Sequence, residues 1–375
     1  MDLASFPKFI DGDVKLTVQP DVYRLHSQVL AAASKVLGGL VAPLPEIGPL
    51  PYIQGMNHLG IREINLVGDA AHRYGVFQEP RHFNNEVMGF TDLGSFPVWP
   101  EKTRQCWANI FKMFYQINPT LHETGVPSNL LQNSLELIEL AEDIEATHVV
   151  FPAISTALVE CGQELYHCIA HDPIRWNKLG LRIHSVPIFQ ESVIHLVGRW
   201  NCLTEDGFKS LPEYSRELCS RKQDEIVTLK KMIEVYVLHH QPGATSHVNS
   251  ADAKCRDVYM WMAIAFFRQW LCQTITDGLN YRALDGGASF YRSIAAGGSA
   301  YLEVIDQSSL VLLYPMDRDE VKIIEERLTK VKDRVKHLVA ELLVNRSGYD
   351  PKTWGELPYL TCCRVFNEDF PWKVD

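Results

Sequence analysis

The chain lacks the features that mark exported and membrane-spanning proteins. No uninterrupted apolar run approaches the roughly 18 to 20 residues that a membrane helix needs. The opening Met1-Asp-Leu-Ala-Ser5 has neither the basic start nor the apolar middle of a signal peptide. The nine cysteines are odd in number and follow no repeating framework, which suits a reducing compartment. We therefore expect a cytoplasmic or nuclear protein with free thiols and no membrane contact.

Basic clusters are also missing. The chain has 36 Lys and Arg residues against 46 Asp and Glu residues, which gives a net charge of −10. A nucleic acid would be repelled by this balance, and neither a zinc-finger array nor a basic helix overcomes it locally. We expect no nucleic-acid partner.

Catalytic and cofactor motifs are missing as well. Cys161, His167, Cys168 and His171 invite a metal hypothesis, but structural zinc sites normally bring two pairs of ligands from separate elements and no second pair is evident. The glycine-rich segments 285–289 and 296–299 lack the spacing and the terminal Lys-Ser/Thr of a phosphate loop, so they are read as turns between helices. The sequence predicts no metal and no cofactor, and catalytic residues stay unknown.

The N-terminal residues show the clearest local pattern. Val14, Leu16 and Val18 alternate with polar residues as in a half-buried strand, and a second alternating strand follows a tight turn. Ser27 is placed to cap a helix that would end at Gly38-Gly39. These residues predict a hairpin followed by a helix.

The same residues resemble the opening of a BTB/POZ domain, in which a D-V-x-h-x-V strand, an h-x-h-H-S strand and a V-L-x-x-x-S helix follow one another. Residues 63–66 resemble the third BTB strand, and residues 130–141 and 148–159 resemble the closing helices. The resemblance implies a small sheet flanked by helices over residues 1–160, with an aromatic insertion at about 67–100. It also implies a protein-interaction scaffold that pairs with a partner or with itself through an exposed apolar patch near Val14, Leu16 and Leu30.

Helical patterns dominate the second half of the chain, where residues 186–200 and 285–291 resemble stretches of fungal BTB-containing proteins. We therefore expect an α+β fold whose residues 161–375 form an all-helical domain. In the last long helix, apolar residues alternate spacings of three and four from Val321 to Leu342, after a capping pattern at Asp317 to Glu320. This seam fits a coiled-coil dimer or a helix packed on its own chain, and three heptads favour packing.

Two functions follow. The first is the adaptor that the resemblance implies. The second is a cofactor-free isomerase, cyclase or pericyclase of fungal secondary metabolism, in which aromatic residues wall a cavity for an apolar small molecule. The second hypothesis rests on the aromatic insertion and on the largely apolar helix around residues 259–270. Its pocket candidates are Trp99, Trp107, Tyr259, Trp261, Arg268, Gln269, Gln273 and Tyr281.

Overall fold

The computed structural model of the chain describes residues 6–42, 61–79, 98–121, 129–239, 258–302 and 316–373. They belong to two compact units. Unit 1 comprises Met1–Leu165 with Ile183–Ser185, and unit 2 comprises Tyr166–Arg182 with Val186–Asp375. The fold is α+β, with a small four-stranded sheet in the N-terminal part and a mostly helical remainder.

Unit 1 contains a mixed sheet with the strand order β2-β1-β3-β4. Its strands are β1 (Val14–Val18), β2 (Asp21–Leu25), β3 (Arg62–Val67) and β4 (Val76–Gln78). β1 pairs antiparallel with β2 and parallel with β3, and β4 closes the edge antiparallel to β3. The predicted hairpin and third strand are confirmed. The fourth strand falls inside the segment expected to be an insertion. Sequence reasoning missed it because three residues are too few to show the alternation of apolar and polar residues that marks a strand.

The helices of unit 1 are α1 (Ser27–Ala33), α2 (Lys35–Val41), α3 (Glu101–Phe114), α4 (Leu130–Asp143) and α5 (Thr147–Glu160). The first predicted helix is in fact two helices. Ser34 has an extended backbone between them, and its hydroxyl accepts a hydrogen bond from the Leu37 amide, so that it caps α2. The helix does not end at Gly38-Gly39 as expected, because α2 continues to Val41.

The sheet and α3 supply the core of unit 1. Trp107 and Phe111 of α3 are buried, and their rings lie 5.7 Å apart. Val14, Leu16 and Leu30 are also buried in this core. These three side chains lie on the covered face of the sheet and of α1. They therefore do not form the exposed apolar patch that was expected there.

The α-helices of unit 2 are α6 (Gln163–His171, which begins in unit 1), α7 (Pro173–Arg182), α8 (Val186–Gly198), α9 (Glu205–Ser210), α10 (Glu213–His239), α11 (Val258–Thr276), α12 (Ala288–Ala296), α13 (Arg318–Val335) and α14 (Pro351–Trp354). Short 3₁₀ helices cover Trp200–Cys202, Lys336–Leu343 and Asn367–Asp369. Within the described residues, no helix combines the length and apolarity needed to cross a bilayer.

Unit 2 has two hydrophobic clusters. The first lies among α11, α12, α13 and the following 3₁₀ helix, and the second gathers around α8 and the start of α10. The predicted seam of α13 faces the first cluster, with Val321, Ile324, Leu328, Val331 and Val335 all buried. Packing on the same chain is thereby confirmed, and so is the capping box of Asp317 with Glu320.

Candidate interaction surface

Helix α11 has one face committed to the core of unit 2. Met260, Ile264, Phe267 and Leu271 recur at spacings of three and four and are buried. They belong to the first hydrophobic cluster together with the seam of α13. The phenol of Tyr259 donates a hydrogen bond of 2.8 Å to Glu320 at the start of α13. These contacts fix which side of α11 points outward.

The opposite side, which we call the α11 outer face, carries no charge. Its exposed residues are Val258, Trp261, Ala265, Gln269, Cys272, Gln273 and Thr276. The indole of Trp261 is 48% exposed. Arg268 is the single charged residue in the helix sequence, and its Nε donates to the Leu238 carbonyl. A solvent-facing side of a helix usually carries charged residues, so this face is unusual.

The composition of the α11 outer face matches that of an interface centre. Protein interfaces are enriched in Trp and depleted of Lys, Glu and Asp at their centre, because a charge that loses its water must be paired. The half-exposed Trp261 near the N-terminal end of the face offers apolar area, and Gln269 further along offers an uncharged amide, without that cost. The face can therefore be covered by a partner at little desolvation cost.

A second exposed apolar group lies on α10. Met232, Val235 and Tyr236 are 49%, 50% and 58% exposed, and their spacing puts them on one side of the helix. Their inner neighbours Ile233 and Val237 are buried in the first cluster. Sequence reasoning missed this group. The signal was present, because α10 is periodic and these residues fall off its buried stripe.

Buried polar contacts fix the loop that precedes α12. Lys230 Nζ donates to the Gly286 carbonyl at 2.8 Å, and Glu234 accepts from Tyr291 at 2.7 Å and from Asn280 at 3.2 Å. Burial lowers the pKa of Lys230, and burial together with the neighbouring Glu234 raises the pKa of Tyr291. The polar groups of Lys230 and Tyr291 are both engaged in these hydrogen bonds, so we assign the two residues a structural role.

Lys332 fixes the other end of α12. Its Nζ donates to three backbone carbonyls, those of Gly298, Tyr301 and Leu302, at 2.6, 2.7 and 3.0 Å. Burial lowers the pKa of Lys332. The three carbonyls satisfy the ammonium group, so the loop after α12 is tied to α13. The glycine-rich segments on both sides of α12 are turns between helices, as predicted.

The predicted pocket residues belong to both units, Trp99 and Trp107 to unit 1 and the other six to unit 2. Trp107 lies in the core of unit 1, where its indole donates to the Tyr74 carbonyl, and the indole of Trp99 donates to the Leu66 carbonyl. In unit 2, Trp261, Gln269 and Gln273 are exposed, and Tyr259 and Arg268 are engaged in the hydrogen bonds given above.

Tyr281 is half-buried, with Lys231 and Arg282 over its ring at 5.4 and 5.6 Å. Two surface depressions that the structure describes have volumes of about 540 and 400 Å³. The first is lined by Phe208, Glu213, Arg216, Glu217, Ser220, Arg221 and Asp224, and the second by Gly39, Leu40, Arg62, Phe77, Gln78 and Glu79. Neither lining contains a predicted pocket residue.

The metal hypothesis of the sequence concerned four residues at or next to α6: Cys161, His167, Cys168 and His171. The ring of His167 stacks on Trp354 at 4.2 Å between ring centres. Among the residues that the structure describes, no group of three or more His, Cys, Asp or Glu side chains could hold a metal ion.

Comparison with known families gives one match, on the part of unit 2 that contains α11. The family model of the FF domain, in its fungal form, matches residues 236–341. This span includes α11, α12 and α13, and it covers less than a third of the chain. No curated protein and no solved structure matches the chain.

The match corrects the family prediction. The matching model describes an FF domain in the second half of the chain, and no BTB model matches. The resemblance to BTB/POZ domains was therefore wrong, and with it the BTB-type adaptor and self-association through a BTB-like domain. The paired strands and short helix on which the resemblance rested are real, but such an arrangement is not specific to one family.

Proposed function

We propose that the chain is a protein-interaction protein and that unit 2 binds a protein partner through the α11 outer face. FF domains are protein–protein interaction modules, and the matched residues 236–341 include the whole of α11. The observation that carries the proposal is the uncharged outer face with the half-exposed Trp261 at its N-terminal end.

Geometry favours a partner segment that lies along the helix. From Val258 to Thr276 the helix has 19 residues and is about 28 Å long at 1.5 Å per residue. Exposed side chains recur along this length on one side, so a partner helix or extended segment with an uncharged face can contact several of them.

Residence in the cytoplasm or nucleus, as expected from the sequence, stays a prediction.

The test adds a charge to the face. Trp261→Glu places a carboxylate on the α11 outer face in place of its large aromatic side chain, and Thr329→Glu places the same group on the exposed side of α13 as a matched control. Quantitative affinity capture with the full chain identifies proteins retained by the wild type and by Thr329→Glu. Each candidate is then purified and titrated against all three chains.

We expect Trp261→Glu to weaken binding of the purified partner about tenfold or more, because a buried Trp contact is commonly an interface hot spot. Thr329→Glu should bind like the wild type. Circular dichroism checks that both variants fold. If Trp261→Glu folds and binds every purified partner with wild-type affinity, the α11 outer face is not the binding surface.

A further inference from the structure

The last described residues of the chain connect both hydrophobic clusters of unit 2. We call residues 344–373 the C-terminal segment; besides two short helical turns it has an irregular backbone. Leu360 and Cys362 are buried in the first cluster, which contains the helices of the FF match. Cys363 and Phe370 are buried in the second cluster, around α8 and α10. One short stretch of chain therefore belongs to two cores.

The first polar contact ties the segment to α8. His195 is 0% exposed, and its Nδ1 and Nε2 lie 2.9 Å from the Tyr359 hydroxyl and 3.0 Å from Glu191 Oε1. Glu191 Oε2 accepts from the Gly348 amide at 2.8 Å. Burial raises the pKa of Tyr359, so its phenol stays protonated and can donate to His195. All three side chains are thereby satisfied by one another and by the segment.

The second contact ties the segment to α12, inside the FF match. Arg292 donates through its two terminal nitrogens to the carbonyls of Leu357 and Tyr359, at 2.8 and 3.2 Å, and its Nε lies 3.3 Å from Glu356. Tyr359 thus connects the two contacts, since its side chain bonds to α8 and its backbone carbonyl bonds to α12.

The third contact ties the end of the segment to α10. Asp369 is buried, and its carboxylate accepts from Lys222 at 2.7 Å and from Arg221 at 2.6 Å. The Tyr214 hydroxyl donates to the Asp369 carbonyl at 3.0 Å. Lys222 is buried as well, and Asp369 is its nearest and most buried counter-charge, since Glu225 lies 3.5 Å away and is more exposed.

Close backbone packing supports the same arrangement at α8. A Cβ atom on Gly198 would lie 2.5 Å from the Leu360 carbonyl oxygen and 2.6 Å from the Tyr359 ring. The segment therefore packs on a part of α8 where a side chain has no room.

We propose that the C-terminal segment is a clamp that holds the FF-matched helices to α8 and α10, so that unit 2 folds as one body and the matched residues do not form a module by themselves. The consequence for binding, that a partner meets the whole of unit 2, rests on the proposed function. The folding claim does not.

Hydrogen–deuterium exchange of the full chain tests the clamp. Tyr359→Phe removes only the hydroxyl that contacts His195. Arg292→Met removes the hydrogen bonds to the Leu357 and Tyr359 carbonyls but keeps an apolar side chain of similar length. Tyr236→Phe makes the same chemical change as the first variant on an exposed tyrosine of α10 and serves as its control. Exchange is read in peptides of α8 (Val186–Gly198) and of α12 (Ala288–Ala296).

We expect Tyr359→Phe to speed exchange about tenfold in both α8 and α12, since a lost buried hydrogen bond lowers the free energy of local opening. Arg292→Met should do the same from the other end, because coupling between two elements is reciprocal. Tyr236→Phe should leave both peptides unchanged.

Faster exchange confined to the helix that lost its own contact, with the other helix unchanged in both variants, would overturn the clamp. The measurement needs no partner. A negative result here therefore leaves the Trp261→Glu test of the binding surface untouched, and a failed binding test leaves the clamp standing.

Discussion

Asp369 shows how one carboxylate can make the stability of unit 2 depend on pH. Burial acts to raise the pKa of Asp369, but the hydrogen bonds from Lys222 and the Phe366 amide and the nearby Arg221 lower it below its usual 3.8. The carboxylate therefore stabilises the fold fully above pH 3.8, and this contribution is lost as the pH falls through the lower folded-state pKa.

We predict that Asp369→Asn lowers the free energy of unfolding by about 3 kcal/mol near neutral pH, because it removes the buried carboxylate 2.7 Å from the buried Lys222 ammonium and leaves only the more exposed Glu225, 3.5 Å away, as a counter-charge. Urea unfolding followed over a pH series should show the gap between wild type and variant shrinking below pH 3.8. Glu326→Gln, on the exposed side of α13, is the control and should change little. A gap that is constant down to the acid limit would contradict the assignment of this pH dependence to Asp369.

Single residues were predictable in environment but not in partner. The sequence around His195 is apolar on both sides, which is typical of a hydrogen-bonded core histidine, and in the structure its side chain is 0% exposed and hydrogen-bonded. Its contact with Tyr359 joins residues 164 apart in sequence, and no local pattern carries that information. The Asp369 pair with Lys222 was missed for the same reason.

At the scale of elements, Ser34 decides how the first helical stretch of unit 1 is divided. Its hydroxyl caps α2 by accepting from Leu37 and donates to the Ile144 carbonyl at 2.6 Å, and it is buried. We predict that Ser34→Ala lowers the free energy of unfolding of unit 1 by about 2 kcal/mol, the sum of a lost cap and a buried carbonyl without a donor. Chemical denaturation checks the value.

Lys35→Ala, at the neighbouring position, provides the comparison. Lys35 is 3.3 Å from Glu145, but both side chains are exposed, so the loss should stay within about 0.5 kcal/mol. If Ser34→Ala cost no more than Lys35→Ala, the cap and the bond to Ile144 would contribute nothing measurable, contrary to the prediction.

The long helix α13 was readable from the sequence, whereas the three-residue strand β4 was not. The capping box and the buried seam predicted α13 correctly, because a helix of 18 residues is long enough for the apolar spacing of three and four to repeat several times. Residues 336–343 continue the apolar spacing but form a 3₁₀ helix, which the same pattern cannot distinguish over two turns. The apolar character of α11 was also visible in the sequence, where it supported the prediction of a cavity wall, and the cavity wall stays a prediction.

At the scale of the whole molecule, correct elements led to a wrong family. The three predicted strands are in the structure, as is helical backbone after the hairpin, and the family name inferred from them was still wrong. Short elements in a common order recur in unrelated families, so the order constrains the fold class more than the function. The informative region was instead residues 236–341, where an apolar helix and a charged, capped helix pack together.

The division into two units predicts two unfolding events. Unit 1 has its own core around Phe111 and Trp107, and unit 2 has its own clusters, so each can unfold cooperatively by itself. In calorimetry we expect two components, with Ser34→Ala lowering the temperature of one and Asp369→Asn that of the other. Asp369→Asn should shift its component by several degrees, since about 3 kcal/mol in a domain of this size is worth roughly 6 to 12 °C. The double variant should show both shifts at their single-variant values. A single transition that both substitutions move together would mean that the two cores unfold as one.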